Sequence, residues 1–215
     1  MENPAVALVE MGNTHRLNVL HSPCSTASDT TLFFTHGSMG SLTQFNDLIA
    51  AFTGRVNIVA FDTMGCGDSE KPNVHTVYST DSLTSNLIEI FDKYSTKNNI
   101  LVGHSYGTAQ VARLCLHVKM RQLDSLNNNS DVSISGVVLL GTVDTLPKGG
   151  CSAFSIFSLP LCVLNPMQGW MTKSYVNMAF STHSSAALKL RATALAGNFI
   201  NYHLSRFILL TNCQL

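Results

Sequence analysis

The chain has 215 residues, 45% of them apolar and 12% charged, with 13 basic side chains balanced by 13 acidic ones. That is enough apolar chain for one globular domain with a sizeable core, and it excludes a disordered segment. No basic stripe exists to meet a phosphate backbone, so nucleic acid is not an expected partner.

The start, "MENPAVALVEMG", has neither the basic region and apolar run of a secretory signal nor the arginines of a transit peptide. The reading is therefore cytoplasmic, with the six cysteines (24, 66, 115, 151, 162 and 213) reduced and no CxxC pair among them. "VALVEM" and "HRLNVLH" read as two strands joined by a turn at Gly12-Asn13. "TLFFTHG" is apolar without alternation, as expected of a strand buried on both faces. "SLTQFNDLIAAF" has helical spacing, with Leu42, Phe45, Leu48, Ile49 and Phe52 on one face. "VNIVAFD" is a second buried strand. "STDSLTSNLIEIFDKYS" is an amphipathic helix with Leu83, Leu87, Ile90 and Phe91 along its apolar side. "NNILVGHS" then predicts a strand, "YGTAQVARLCLHVKMRQL" a helix, "QLDSLNNNSD" an exposed polar loop and "ISGVVLLGTVD" another strand.

Strand and helix thus alternate from Leu32 to Asp144, the signature of an α/β fold with a mostly parallel, doubly wound sheet. Right-handed crossovers bring the strand C-termini to one edge, where ligands bind. Residues 1–149 form this core. After Gly149-Gly150 the rhythm stops, and residues 150–206 read as a helical cap, with "KSYVNMAFS" and "SSAALKLRATALAGNF" as helical segments. The stretch "CSAFSIFSLPLCVLN" is shorter than the ~20 residues of a spanning helix and is broken by Pro160. A weak contact of this apolar cap with a membrane surface is a further expectation. Residues 207–215 form a tail whose nativeness the sequence leaves open.

Three motifs fall on the same sheet edge. Gly103-His104-Ser105-Tyr106-Gly107 satisfies G-x-S-x-G between an apolar strand and a helix, the context of a nucleophile elbow rather than of a chance match. Ser105 is the candidate nucleophile. In such a fold the N–H of the residue after it, Tyr106, is one oxyanion donor, and the loop after an earlier strand supplies the other. The loop here is "FFTHGSMGS", and the second donor is assigned to the backbone N–H of Ser38. A phosphate-binding loop is the competing reading; it lacks the lysine of that motif. "FDTMGCGDSEKP" suits a tight turn in which Asp62 bonds backbone N–H groups, with Cys66 a packed thiol. No His/Cys/Asp cluster has ligand spacing, so neither a metal nor a cofactor is expected.

In this order, HG, DxxGxGxSxxP and GHSYG resemble the α/β-hydrolase superfamily over about residues 5–150. The cap sequence "GGCSAFSIFSLPLCVLNP" is similar to the branch of abhydrolase domain-containing protein 8. The resemblance implies a serine hydrolase, esterase- or lipase-like, acting on an ester, thioester or amide of an apolar, lipid-like acyl group. It also implies a Ser-Asp-His triad in chain order, the acid in an HGxxD context after the cap and the base in a GSH context after the last strand. Neither context occurs in the 215 residues. Asp144 could stand for the acid but reads better as a turn residue before Pro147. His183 and His203 lie in the cap and read as surface or packing residues. The chain is thus expected to be C-terminally incomplete and inactive as written. The alternative is a non-catalytic form, or an interaction module on a hydrolase scaffold.

Overall fold

The computed structural model describes residues 5–124, 132–142 and, in the last third, 166–167, 169–170, 172–174, 176–177 and 183–197. Six strands form one sheet: β1 (Ala5–Glu10), β2 (Arg16–Ser22), β3 (Thr30–Thr35), β4 (Asn57–Phe61), β5 (Asn98–His104) and β6 (Ser133–Leu140). Their order is β1-β2-β4-β3-β5-β6. β1 and β2 are a hairpin, β2 is antiparallel to β4, and β4, β3, β5 and β6 run parallel to one another. The hairpin turn closes through Met11 N–H to His15 O at 2.8 Å, with Thr14 at φ +66° supplying the left-handed step.

Parallel strands need crossovers, and three helices of the core make them: α1 (Asn46–Phe52), α2 (Thr80–Tyr94) and α3 (Tyr106–Asp124). α1 and the 3₁₀ turn before it pack Leu42, Phe45 and Ile49 on Leu32, Phe34, Ile58 and Val102. α2 and α3 cover the opposite face, packing Leu87, Ile90, Phe91, Val111 and Leu114 on Val19, Phe33, Val59 and Leu101. Side chains alternate across each pleat, so Phe33 and Phe34 serve different cores. α2 begins at Ser79, whose hydroxyl accepts the Ser82 N–H, a side-chain N-cap. The doubly wound α/β architecture expected from the sequence is present.

One expectation changes. The segment 42–52 is not one regular helix: residues 42–45 form a 3₁₀ turn. Its 120° step aligns Leu42, Phe45 and Ile49, and rotates Leu48 and Phe52 out to solvent. "ISGVVLLGTVD" forms its expected strand, which is the edge of the described sheet. Val137, Val138, Leu139 and Leu140 are 38–47% exposed. In the last third, α4 (Ala186–Gly197) falls within the second expected helical segment. "CSAFSIFSLPLCVLN", residues 125–131 of the polar loop, Asp144, His203 and residues 207–215 lie outside the described residues. No described helix is long and apolar enough to cross a membrane.

Candidate active site

Ser105 sits where β5 ends and α3 begins, with φ +51°. A non-glycine residue in the left-handed region costs on the order of 1–2 kcal/mol, and the surroundings hold it there. The Ser105 N–H donates to Leu140 O at 2.8 Å, so the end of β6 anchors the elbow. Its carbonyl accepts both the N–H and the hydroxyl of Thr108, at 2.9 and 2.6 Å. The chain turns so tightly that both flanking residues must be glycine. A Cβ at 103 would lie 2.7 Å from Gly107 O, and one at 107 would fall on the Thr35 carbonyl oxygen. Ser105 itself is partly exposed, and among the described residues no hydrogen bond reaches its hydroxyl.

Tyr106 opens α3, where backbone N–H groups lack helical acceptors and the helix dipole is positive. Its ring is held by polar partners behind the elbow. The Gln110 amide donates to the phenol oxygen at 2.9 Å, the phenol donates to Thr80 Oγ1 at 3.3 Å, and Thr84 Oγ1 donates to Gln110 Oε1 at 3.0 Å. Burial keeps that phenol neutral by pushing its pKa up. The sequence reading missed this relay. Its signal was three polar residues, Thr80, Thr84 and Gln110, at helical spacings that also serve the core.

The loop after β3 reaches Ser105 from the side. An added Cβ at Gly37 would lie 2.8 Å from Ser105 Cβ and 3.1 Å from His104 O. His36 is buried at its base; its Nε2 accepts Thr63 N–H at 2.9 Å and its Nδ1 faces Gly37 O at 2.7 Å. Burial holds the His36 imidazole below its ordinary pKa, so the ring is neutral. Gly40 N–H closes a turn on Gly37 O at 3.1 Å, with Met39 at φ +59°. This is the loop that carries Ser38.

Asp62, after β4, is buried and fully engaged, as the turn reading expects. Its carboxylate accepts Leu42 N–H at 2.7 Å, Asp68 N–H at 2.9 Å and Asn18 Nδ2 at 2.9 Å. It is scaffold rather than a triad acid. Cys66, in the same turn, is buried and its thiol is pushed up to about 12 by that burial, which makes it inert. A cavity of about 220 Å³ lies against this turn, lined by Asn18, Gly40, Ser41, Asp62 and Asp68 among others, without Ser105 in its wall.

Ser105, Tyr106 and the Ser38 loop are therefore together on one sheet edge, with Asp62 behind them. The His104 ring lies against Gly37 and Gly141, and among the described residues its buried Nδ1 has no hydrogen-bond partner. His183 is exposed in the turn before α4. Among the described residues no group of three His, Cys, Asp or Glu side chains could hold a metal ion.

A strained serine at a strand-to-helix turn, on the C-terminal edge of a mostly parallel sheet, is the arrangement of an α/β hydrolase. The model of the α/β-hydrolase fold family matches residues 30–152, and the chain belongs to that family. Among curated proteins it is similar to Protein ABHD8 of Homo sapiens, 30% identical over 176 residues, and to that of Mus musculus, 28% identical over the same length. Each match covers 81% of this chain and 37% of the relative, so the chain spans little more than a third of these relatives' length. Among solved structures, an esterase from Exiguobacterium antarcticum superposes with a TM-score of 0.70 at 15% identity, covering 96% of this chain and 74% of that one. An epoxide hydrolase from Vigna radiata gives 0.65 at 19% identity, over 98% and 74% of the two chains. These similarities show the fold.

Proposed function

We propose that the site is that of a serine hydrolase acting on a carboxylic ester, thioester or amide. The observation that carries this is Ser105 itself, held at φ +51° between β5 and α3 with Gly37 packed on its Cβ. Ser105 Oγ attacks the acyl carbonyl, its proton passes to a base, and the oxygen that gains charge is held by the N–H groups of Tyr106 and Ser38. Collapse of the tetrahedral species expels the alcohol, thiol or amine, and water then releases the acid from the serine ester. Preorganised donors of this kind are worth about 2.7–4 kcal/mol each. The apolar composition of residues 154–159 supports a lipid-like acyl group, with a weak membrane contact through the same segment.

Among the described residues, no acid and no base is hydrogen-bonded to the Ser105 hydroxyl. His36 uses both ring nitrogens, and among the described residues no hydrogen bond joins His104 to the Ser105 hydroxyl. The 215 residues, as written, therefore turn over esters negligibly. That same lack of a base favours a second reading, an interaction module on a hydrolase scaffold. Hydrolysis of a short-chain and a long-chain acyl ester by the purified chain, beside its Ser105→Ala variant, tests both. Rapid turnover lost in the variant would mean that an in-chain base exists.

A further inference from the structure

The two ring nitrogens of His36 have different partners, and that difference has a geometric result. The Thr63 backbone N–H can only donate, so Nε2 is the unprotonated nitrogen and Nδ1 carries the hydrogen. Nδ1–H therefore donates to the Gly37 carbonyl 2.7 Å away. The Gly40 N–H reaches the same oxygen at 3.1 Å. Two donors thus hold the Gly37 carbonyl in one direction. No described peptide bond is cis, so the Ser38 N–H of that same peptide group points the opposite way. Gly37 meanwhile stands beside the elbow, where an added Cβ would lie 2.8 Å from the Ser105 Cβ.

We propose that His36 is a positioning residue. By gripping the Gly37 carbonyl from an anchor on Thr63, it aims the Ser38 N–H at the oxygen of an acyl group on Ser105. The inference rests on the serine-hydrolase reading and deepens it. His36 touches no reacting atom and is not the base, because its one lone pair is engaged by Thr63. Its work is to keep the Gly37–Ser38 peptide from flipping, since a flip would place a carbonyl oxygen where the oxyanion forms.

Two substitutions separate the two bonds of the ring. In His36→Asn the side-chain NH₂ takes the place of Nδ1–H and keeps the grip on Gly37 O. In His36→Gln the side-chain oxygen takes the place of Nε2 and keeps only the bond from Thr63. The experiment is NMR of the isotope-labelled 215-residue chain and both variants, reading the His36 tautomer and the NOE between the Ser38 amide proton and the Ser105 side chain. The expected result is a protonated Nδ1 and a clear NOE in the wild type, the NOE kept in His36→Asn and lost in His36→Gln. In parallel, the rate at which a fluorophosphonate adds to Ser105 should fall by ~10²–10³ in His36→Gln and stay near the wild-type rate in His36→Asn. A merely structural histidine would lower stability in both variants and leave these two readouts equal. A wild-type ring protonated on Nε2, a missing wild-type NOE, or an NOE kept in folded His36→Gln overturns the proposal. The wild-type measurements decide it even where a variant does not fold. Failure of the probe to add to Ser105 at all counts against the hydrolase reading, and the NOE still decides His36.

Discussion

Gly37 stands against Ser105 so closely that a methyl group added at 37 would lie 2.8 Å from the serine Cβ. Two loops from different strands, β3 and β5, are thereby locked in register at the point where chemistry would occur. Gly37→Ala is expected to push the loop off the nucleophile by a few tenths of an ångström or more. A misplacement of 1 Å costs on the order of 10²-fold in rate. The variant should stay folded and add a serine-directed phosphonate at least several-fold more slowly, read by intact-protein mass spectrometry.

The elbow glycines should behave differently from a loop glycine held in the left-handed region. Gly54 has φ +78° and open space around it, so Gly54→Ala carries only backbone strain, about 1–2 kcal/mol. Gly107 has no positive φ, but in Gly107→Ala the new Cβ would collide with the Thr35 carbonyl, and the cost should exceed that of Gly54→Ala by roughly 2 kcal/mol or more. Urea midpoints of the two variants against the wild type measure the difference.

Much of this was legible in the sequence because the motifs lie at strand ends and the strand–helix rhythm says which ends share an edge. Ser105, Gly37 and Asp62 follow from that rule alone. The exit of Leu48 and Phe52 from the core was not legible, because periodicity assumes 100° per residue and four residues here turn by 120°. The relay from Thr80 to Gln110, and the tie from Ser105 N–H to Leu140 O, join segments far apart in sequence. No local pattern encodes such contacts.

Asp62→Asn is expected to destabilise the chain by roughly 2–4 kcal/mol without touching Ser105. The carboxylate accepts three donors, and hydrogen bonds to a charged group are worth about 1.5–3 kcal/mol each. An amide offers one oxygen and turns an NH₂ toward one of those donors. Chemical denaturation at neutral pH gives the loss.

Stability should fall on both sides of a plateau between about pH 6.5 and 9. Burial lowers the pKa of His36, His21 and His104 from 6.5, so the unfolded chain takes up protons first as the pH falls. Their contribution is present above 6.5 and is lost below it, through the depressed folded values. Cys66 is raised from 9.0 to about 12, so its contribution is present below 9 and lost as the pH climbs toward 12. Thermal midpoints across this range check the shape, and His36→Asn should flatten the acid side. Native Cys66 should also resist iodoacetamide at pH 8, where on the order of 10⁻⁴ of it is thiolate.

The β6 edge carries no charge along Ser133–Leu140 and exposes four apolar side chains in a row. Unprotected edges of this kind template pairing with other chains. Val138→Lys with Leu140→Lys should raise the soluble fraction on expression and lower light scattering on warming, with the sheet retained by circular dichroism.

If Ser105 is the nucleophile proposed above and works without a base from the described residues, added imidazole can stand in for that base. The measurement is the rate of fluorophosphonate addition to the 215-residue chain at rising imidazole concentration, with the modified residue mapped by peptide mass spectrometry. The account predicts a slow adduct on Ser105 alone, a rate that climbs with imidazole, and no adduct in Ser105→Ala. An adduct that forms elsewhere, that survives Ser105→Ala, or that fails to form at any imidazole concentration would contradict it.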